Sequence, residues 1–126
     1  MPIASLVLAV GLGAASTSTE TWQFIYVSRT TRLEAIEGTA TLTRSGSVLS
    51  GPLRDSSTGE YRISLTIDGA SAEGWFGAVE SDDGGTLLKG SFRQWQVPGG
   101  ECWQTIQLAD GSSSISLARN IPRCEA

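Results

Sequence analysis

Hydrophobic and polar residues alternate along the chain from residue 21 to residue 120, in short segments separated by turn-forming residues. A period of two predicts β-strands, and no segment shows the longer period of an amphipathic helix. The connections between the segments are short, so consecutive strands are expected to pair as antiparallel hairpins. The predicted strands are residues 21–28, 35–44, 47–54, 60–67, 70–80, 86–97, 102–109 and 112–120.

Three dipeptides mark the sharpest turns: Ser45-Gly46, Asp68-Gly69 and Asp110-Gly111. If each dipeptide supplies the two central residues of its turn, apolar side chains share one face from strand to strand. A series of eight such strands predicts an all-β fold, an antiparallel up-and-down meander closed into an eight-stranded barrel. The alternative architecture is a two-sheet β-sandwich.

The N-terminal segment differs from the rest of the chain, because it is apolar and uncharged from Ile3 to Ala15. It is too short to span a bilayer as a helix, and it is typical of the apolar region of a secretory signal. A basic N-terminal region is missing, and a buried strand or helix is the alternative interpretation. We therefore expect a signal-like segment at residues 1–15 and one barrel domain at 20–126, exported to the periplasm or the extracellular space without a transmembrane segment.

Cys102 and Cys124 are the two cysteines of the chain. An even pair in an exported protein predicts a disulfide bond, whereas two unrelated buried thiols are the alternative. The closed loop would be short, so the bond would stabilise the fold by about 3 kcal/mol.

The chain of 126 residues contains no histidine and has a net charge of −4. Without histidine, Ser-His-Asp and Cys-His catalysis are excluded, and two cysteines are too few for a structural zinc site. The negative charge disfavours nucleic acid as a partner. We expect no catalytic residue, no metal and no cofactor, and a binding role is favoured over an enzymatic one.

The face opposite to the apolar one carries a predicted band of aromatic and basic side chains. Arg62 is expected opposite Trp75, and Trp75 opposite Arg93, if the Asp-Asp-Gly-Gly connection forms a three-residue turn. Trp95 is expected opposite Trp103 across the next connection. Exposed tryptophans beside arginines are typical of a binding surface for a small molecule, a carbohydrate or a protein. Alternatively, these are cross-strand pairs that stabilise the sheet, and a two-residue turn would place Arg93 and Trp95 inside.

Two glutamines, Gln94 and Gln104, fall on the apolar face near one end of the barrel. Buried amides need hydrogen-bond partners, so the two side chains are expected to bond to each other. Alternatively, they orient a small ligand at the barrel mouth, near Tyr61 and Phe92.

Two short motifs, AEGW at Ala72–Trp75 and FRQW at Phe92–Trp95, are similar to pieces of bacterial spirotetronate cyclases. These belong to the allene-oxide-cyclase-like eight-stranded barrels. The resemblance implies a barrel whose aromatic-lined lumen folds a substrate for cyclisation without a cofactor, and it implies that Trp95 lies in that lumen.

Three functions are therefore considered. The first is an exported, non-enzymatic barrel that binds a ligand or partner through the tryptophan–arginine band. The second is a lumenal small-molecule binder or cofactor-free cyclase, and the third is a structural, envelope-associated domain.

Overall fold

The computed structural model describes residues 17–28, 34–55, 59–78 and 85–125, so the signal-like segment at 1–15 lies outside the described residues. The strands pair in sequence order, and β8 pairs back with β1, which confirms the predicted closed antiparallel barrel. The part of the chain that the structure describes contains no helix that could cross a membrane. The strands are β1 (Thr17–Ser28), β2 (Glu34–Ser45), β3 (Val48–Asp55), β4 (Gly59–Asp68), β5 (Ser71–Ala78), β6 (Thr86–Gln96), β7 (Cys102–Ala109) and β8 (Ser113–Ile121).

The three tight turns use their glycine as the first central residue, whereas the sequence predicted the second. Asp68 pairs with Ser71, so Gly69 opens the turn, and Gly46 and Gly111 occupy the equivalent positions. The φ angle is +63° at both Gly46 and Gly69, as a type II′ turn requires. The predicted pairing across these hairpins is therefore wrong by two residues. A shift of two leaves each side chain on its predicted face.

Large apolar side chains fill the interior of the barrel. The largest of them are each about 2% accessible or less, so solvent hardly reaches them. Burying one such side chain contributes about 1.5–3 kcal/mol, and together they form the continuous core of the fold. They are Trp22, Leu42, Leu49, Leu53, Ile63, Leu65, Leu88, Ile106, Leu108, Ile115 and Leu117.

Gly74 marks a point where two strands approach too closely for any side chain. A Cβ atom on this residue would lie 2.6 Å from the Cα atom of Leu65 and would also meet the carbonyl oxygen of Ser64. Real Cβ atoms do not come this close to backbone. Glycine is therefore required here by the packing of the barrel wall.

Strands β6 and β7 continue past their neighbour β5 at the end of the barrel where β1 begins and β8 ends. The pairing of β5 with β6 stops at Ser71 and Ser91, while β6 and β7 stay paired out to Gln96 and Cys102. We refer to this extension, residues 93–96 and 102–105, as the ribbon, and to this end of the barrel as the mouth. The ribbon has an outer face towards solvent and an inner face over the mouth.

Candidate functional site

The outer face of the ribbon carries two exposed indoles next to a guanidinium group. Trp95 and Trp103 lie directly opposite each other and are 45% and 37% exposed. Arg93 and Thr105 form the adjacent outward pair. An open cleft of about 430 Å³ is lined by Arg93, Trp95, Thr105 and Gln107. The outer face thus combines an aromatic surface with hydrogen-bonding groups in one concave area.

The remainder of the predicted band does not reach the ribbon. Trp75 lies opposite Ser64 and Leu87, so the predicted pairings with Arg62 and Arg93 are wrong. The turn at Asp68-Gly69 shifts the pairing of β5 with β4 by two residues, and the seven-residue β5–β6 connection shifts its pairing with β6 by six. Six residues at about 3.3 Å each place Arg93 about 20 Å further along the barrel than Trp75. A shift by an even number of residues leaves each side chain on its predicted face. Trp75 therefore still faces outward, and it is 52% exposed.

Arg62 also stands apart from the ribbon. It faces outward from β4, opposite Pro52 on one side and Gly77 on the other, and is exposed. Of the predicted outer-face residues, the structure therefore brings together Trp95, Trp103 and Arg93, and it separates Trp75 and Arg62 from them.

The inner face of the ribbon carries the two predicted glutamines. Gln94 and Gln104 lie opposite each other, and Nε2 of Gln104 donates to Oε1 of Gln94 at 3.0 Å, which confirms their expected bond. Tyr61 is not near them, because it lies at the start of β4, at the opposite end of the barrel. There its ring stacks on that of Phe76 at 5.4 Å. The predicted mouth site of Gln94, Gln104 and Tyr61 is therefore not assembled.

A buried ion network occupies the mouth behind the glutamines. Nε and Nη2 of Arg44 donate to the two carboxylate oxygens of Glu20 at 2.8 and 3.0 Å, and Nε1 of Trp22 donates to the same carboxylate at 3.0 Å. Arg119 lies 3.5 Å from this carboxylate and 4.9 Å from the centre of the Trp22 ring. Opposite charges and a cation–π contact hold the cluster together.

The pKa of Glu20 reflects these contacts. Burial alone would raise it, but the hydrogen bonds from Arg44 and Trp22 and the positive charge of Arg119 outweigh burial and hold the pKa below its ordinary value. The hydrogen bond to Glu20 correspondingly raises the pKa of Arg44. The carboxylate is therefore ionised, and it is already saturated by partners within the protein.

Sequence reasoning missed this network, although a signal for it was present. Glu20 is in phase with the inward Trp22, and Arg44 is in phase with the buried Leu42, in the alternation of their strands. Arg119 follows the buried Leu117 in the same way. Extending the apolar face by one step at the mouth would have placed all three charged side chains inside.

The predicted disulfide is confirmed, because the sulfur atoms of Cys102 and Cys124 are 2.07 Å apart. The bond ties the chain after β8 to the tip of the ribbon, where Cys102 pairs with Gln96. Such a bond is compatible with export, since disulfides persist in oxidising compartments.

Trp95 faces outward on the ribbon, whereas the cyclase resemblance implied that it lies in the lumen. Within the described residues, no group of three or more acidic or cysteine side chains is arranged to hold a metal ion. Comparisons with protein-family models, with curated proteins and with solved structures find no match for the chain.

Proposed function

We propose that the protein is an exported, non-enzymatic binding module that holds a carbohydrate on the outer face of the ribbon. The observation that carries the proposal is the exposure of Trp95 and Trp103 as a directly opposed pair beside Arg93. Exposed indole rings lose apolar hydration when a flat ligand covers them. A carbohydrate ring offers such a ligand, with C–H groups on its faces and hydroxyl groups at its edge.

The polar lining of the cleft supports a carbohydrate over a purely apolar ligand. The guanidinium group of Arg93 donates hydrogen bonds, while the hydroxyl group of Thr105 and the amide of Gln107 both donate and accept. These groups line the same cleft as the side chain of Trp95. Two other clefts of similar size, of about 340 and 390 Å³, are lined without an aromatic side chain.

A lumenal binder or cyclase, as the family resemblance implies, is the second candidate. It would need a cavity lined by Tyr61, Trp95 and Gln104, but these residues lie at opposite ends or on opposite faces of the wall. Large apolar side chains that are almost inaccessible to solvent occupy the interior between the two ends. We therefore favour the outer face.

The test is a glycan-array and polysaccharide pull-down assay with the full chain, using cellulose, chitin, xylan and peptidoglycan as insoluble probes. The Trp95→Ala/Trp103→Ala variant should lose binding by at least about tenfold, because stacked aromatic anchors dominate such surfaces. Trp75→Ala is the matched control, since it removes an equally exposed indole about 20 Å away along the barrel. The proposal is overturned if the wild-type protein binds none of the probes, or if the two variants lose binding equally. A structural role would then be the remaining hypothesis.

A further inference from the structure

After β8 the chain turns back over the mouth, and residues 122–125, which we refer to as the tail, contact the inner face of the ribbon. The tail has no regular secondary structure. It is held by the disulfide of Cys124 to Cys102 and by hydrogen bonds to side chains of the barrel. These contacts are of two kinds, to the backbone of the tail and to its one carboxylate.

The backbone contacts resemble the hydrogen bonds between two paired strands, but here glutamine side chains take the place of the second strand. Oε1 of Gln94 accepts from the backbone N–H of Glu125 at 3.1 Å, and Nε2 of Gln94 donates to the carbonyl oxygen of the same residue at 2.7 Å. Oε1 of Gln96 accepts from the N–H of Cys124 at 3.3 Å. The two glutamines thus bind peptide groups, which any extended peptide would offer.

The carboxylate contacts are specific for an acidic side chain. The two carboxylate oxygens of Glu125 accept from Nε2 of Gln104 at 3.2 Å and from Nη2 of Arg119 at 3.4 Å. Arg119 is fixed independently of the tail, because its Nε donates to Oε1 of Gln104 at 2.8 Å and its plane covers Trp22. The donors for a carboxylate are therefore held in place by β7 and β8.

Charge balance explains why an anion belongs here. The mouth holds two guanidinium groups, Arg44 and Arg119, but Glu20 is the single carboxylate within the barrel wall that pairs with them. Glu20 gives both of its oxygens to Arg44, which leaves Arg119 with only a 3.5 Å contact. Glu125 supplies the second negative charge. A buried cation without a partner is costly, so the mouth favours a carboxylate ligand.

We propose that the mouth is a binding site for a peptide that carries a glutamate side chain, occupied here by the protein's own tail and kept closed by the Cys102–Cys124 disulfide. The tail is attached to the barrel twice, through Ile121 of β8 and through the disulfide at Cys124, so a free peptide competes poorly while the disulfide is intact. A dithiol opens the site by donating two electrons and two protons. The S–S bond breaks to give two thiols, and the dithiol closes to its cyclic disulfide.

The experiment uses the full chain and a synthetic peptide with the sequence of residues 121–126, in which serine replaces Cys124. Binding is followed from the side-chain amide NMR signals of Gln94 and Gln104, with and without dithiothreitol. The reduced protein should bind this peptide at least about threefold more tightly than the oxidised protein does, because the tail is then attached to the barrel at one end only. The reduced protein should also bind it about threefold more tightly than a peptide with glutamine in place of Glu125, since the glutamine lacks the charge-assisted bond to Arg119, whose partner carboxylate is half exposed.

Equal affinity of the oxidised and reduced proteins, or no preference for the glutamate peptide, would refute the site. If reduction unfolds the barrel, the oxidised Glu125→Gly variant decides instead, with sodium acetate as the probe. Acetate should raise the melting temperature of this variant more than sodium chloride at equal ionic strength does, and should not do so for Arg123→Gly, an exposed tail position. Equal effects of the two salts on Glu125→Gly would then overturn the proposal. The outcome is independent of the carbohydrate assay, which concerns the other face of the ribbon.

Discussion

The buried ion network at the mouth predicts that Glu20→Gln is strongly destabilising although it changes one atom. The substitution removes the only negative charge that faces both Arg44 and Arg119 inside the barrel wall. The side chain of Glu20 is 7% exposed, and those of the two arginines are 19% and 11% exposed. Two guanidinium groups would be left largely out of water without their shared counterion.

The magnitude follows from the cost of breaking a buried ion pair, about 3–5 kcal/mol. Glutamine keeps one acceptor for Trp22 or Arg44, and Arg44 is partly solvated, so we expect the lower end, about 3 kcal/mol in the free energy of unfolding. For a chain of this size that corresponds to a fall of about 10 °C in melting temperature. Urea unfolding followed by far-UV circular dichroism measures the change directly.

The matched control is Glu60→Gln. Glu60 forms an ion pair with Arg54 at 2.9 Å, but the two side chains are 48% and 71% exposed. An exposed pair contributes at most about 1 kcal/mol, so the control should be nearly as stable as the wild type. If Glu20→Gln lowers the free energy of unfolding no more than Glu60→Gln does, then solvent rather than Glu20 compensates the charges of Arg44 and Arg119. Our account of the network would then be wrong.

The same carboxylate predicts a pH dependence. Because the pKa of Glu20 is lowered in the folded state, its contribution to stability is fully present above the ordinary glutamate pKa, about 4.3, and is lost as the pH falls through the lower folded value. The stability difference between wild type and Glu20→Gln should therefore shrink on acidification. A difference that stays constant from pH 7 to well below that pKa would contradict the assignment.

Three further outcomes are expected. Cys124→Ser should lower the free energy of unfolding by about 3 kcal/mol relative to the oxidised wild type, and it should match the reduced wild type in urea unfolding. If the variant is as stable as the oxidised protein, this prediction is wrong. Gly74→Ala should lower the free energy of unfolding by about 1–3 kcal/mol, because the added Cβ atom meets Leu65. Gly100→Ala is the control and should change it little, because its Cβ atom would lie at an ordinary contact distance of 3.4 Å. Equal thermal stability of the two variants would refute the packing argument. Trp22→Phe should leave the red-shifted, iodide-quenchable fluorescence unchanged, because Trp22 is fully buried and the three other tryptophans are exposed; loss of quenching would contradict that burial.

Most of the fold can be predicted from the sequence, because alternation and turn chemistry are local properties. The alternation assigns Leu42 and Ile63 to the interior, whereas the face of Trp95 depended on the length of the Asp-Asp-Gly-Gly turn. Even where the turn geometry was misread at Gly46 and Gly69, the error was two residues, and the faces survived it.

The sites depended on information that is not local. Whether Trp75 meets Arg93 is decided by the pairing across the β5–β6 connection, and a connection of seven residues allows several registers that a turn motif does not distinguish. The sequence alone therefore determined which residues of one strand share a face, and the tertiary structure decided which residues of different strands are neighbours.

The mouth shows the same division. The sequence predicted that Gln94 and Gln104 face inward and that the two cysteines pair, and the structure confirms both. Only closure of β8 onto β1, together with the return of the tail, brings Arg119 between Glu20 and Glu125. Ion pairs between residues so far apart in the chain form only after the barrel has closed, because pairing needs contact in space and leaves no periodic signal along the sequence.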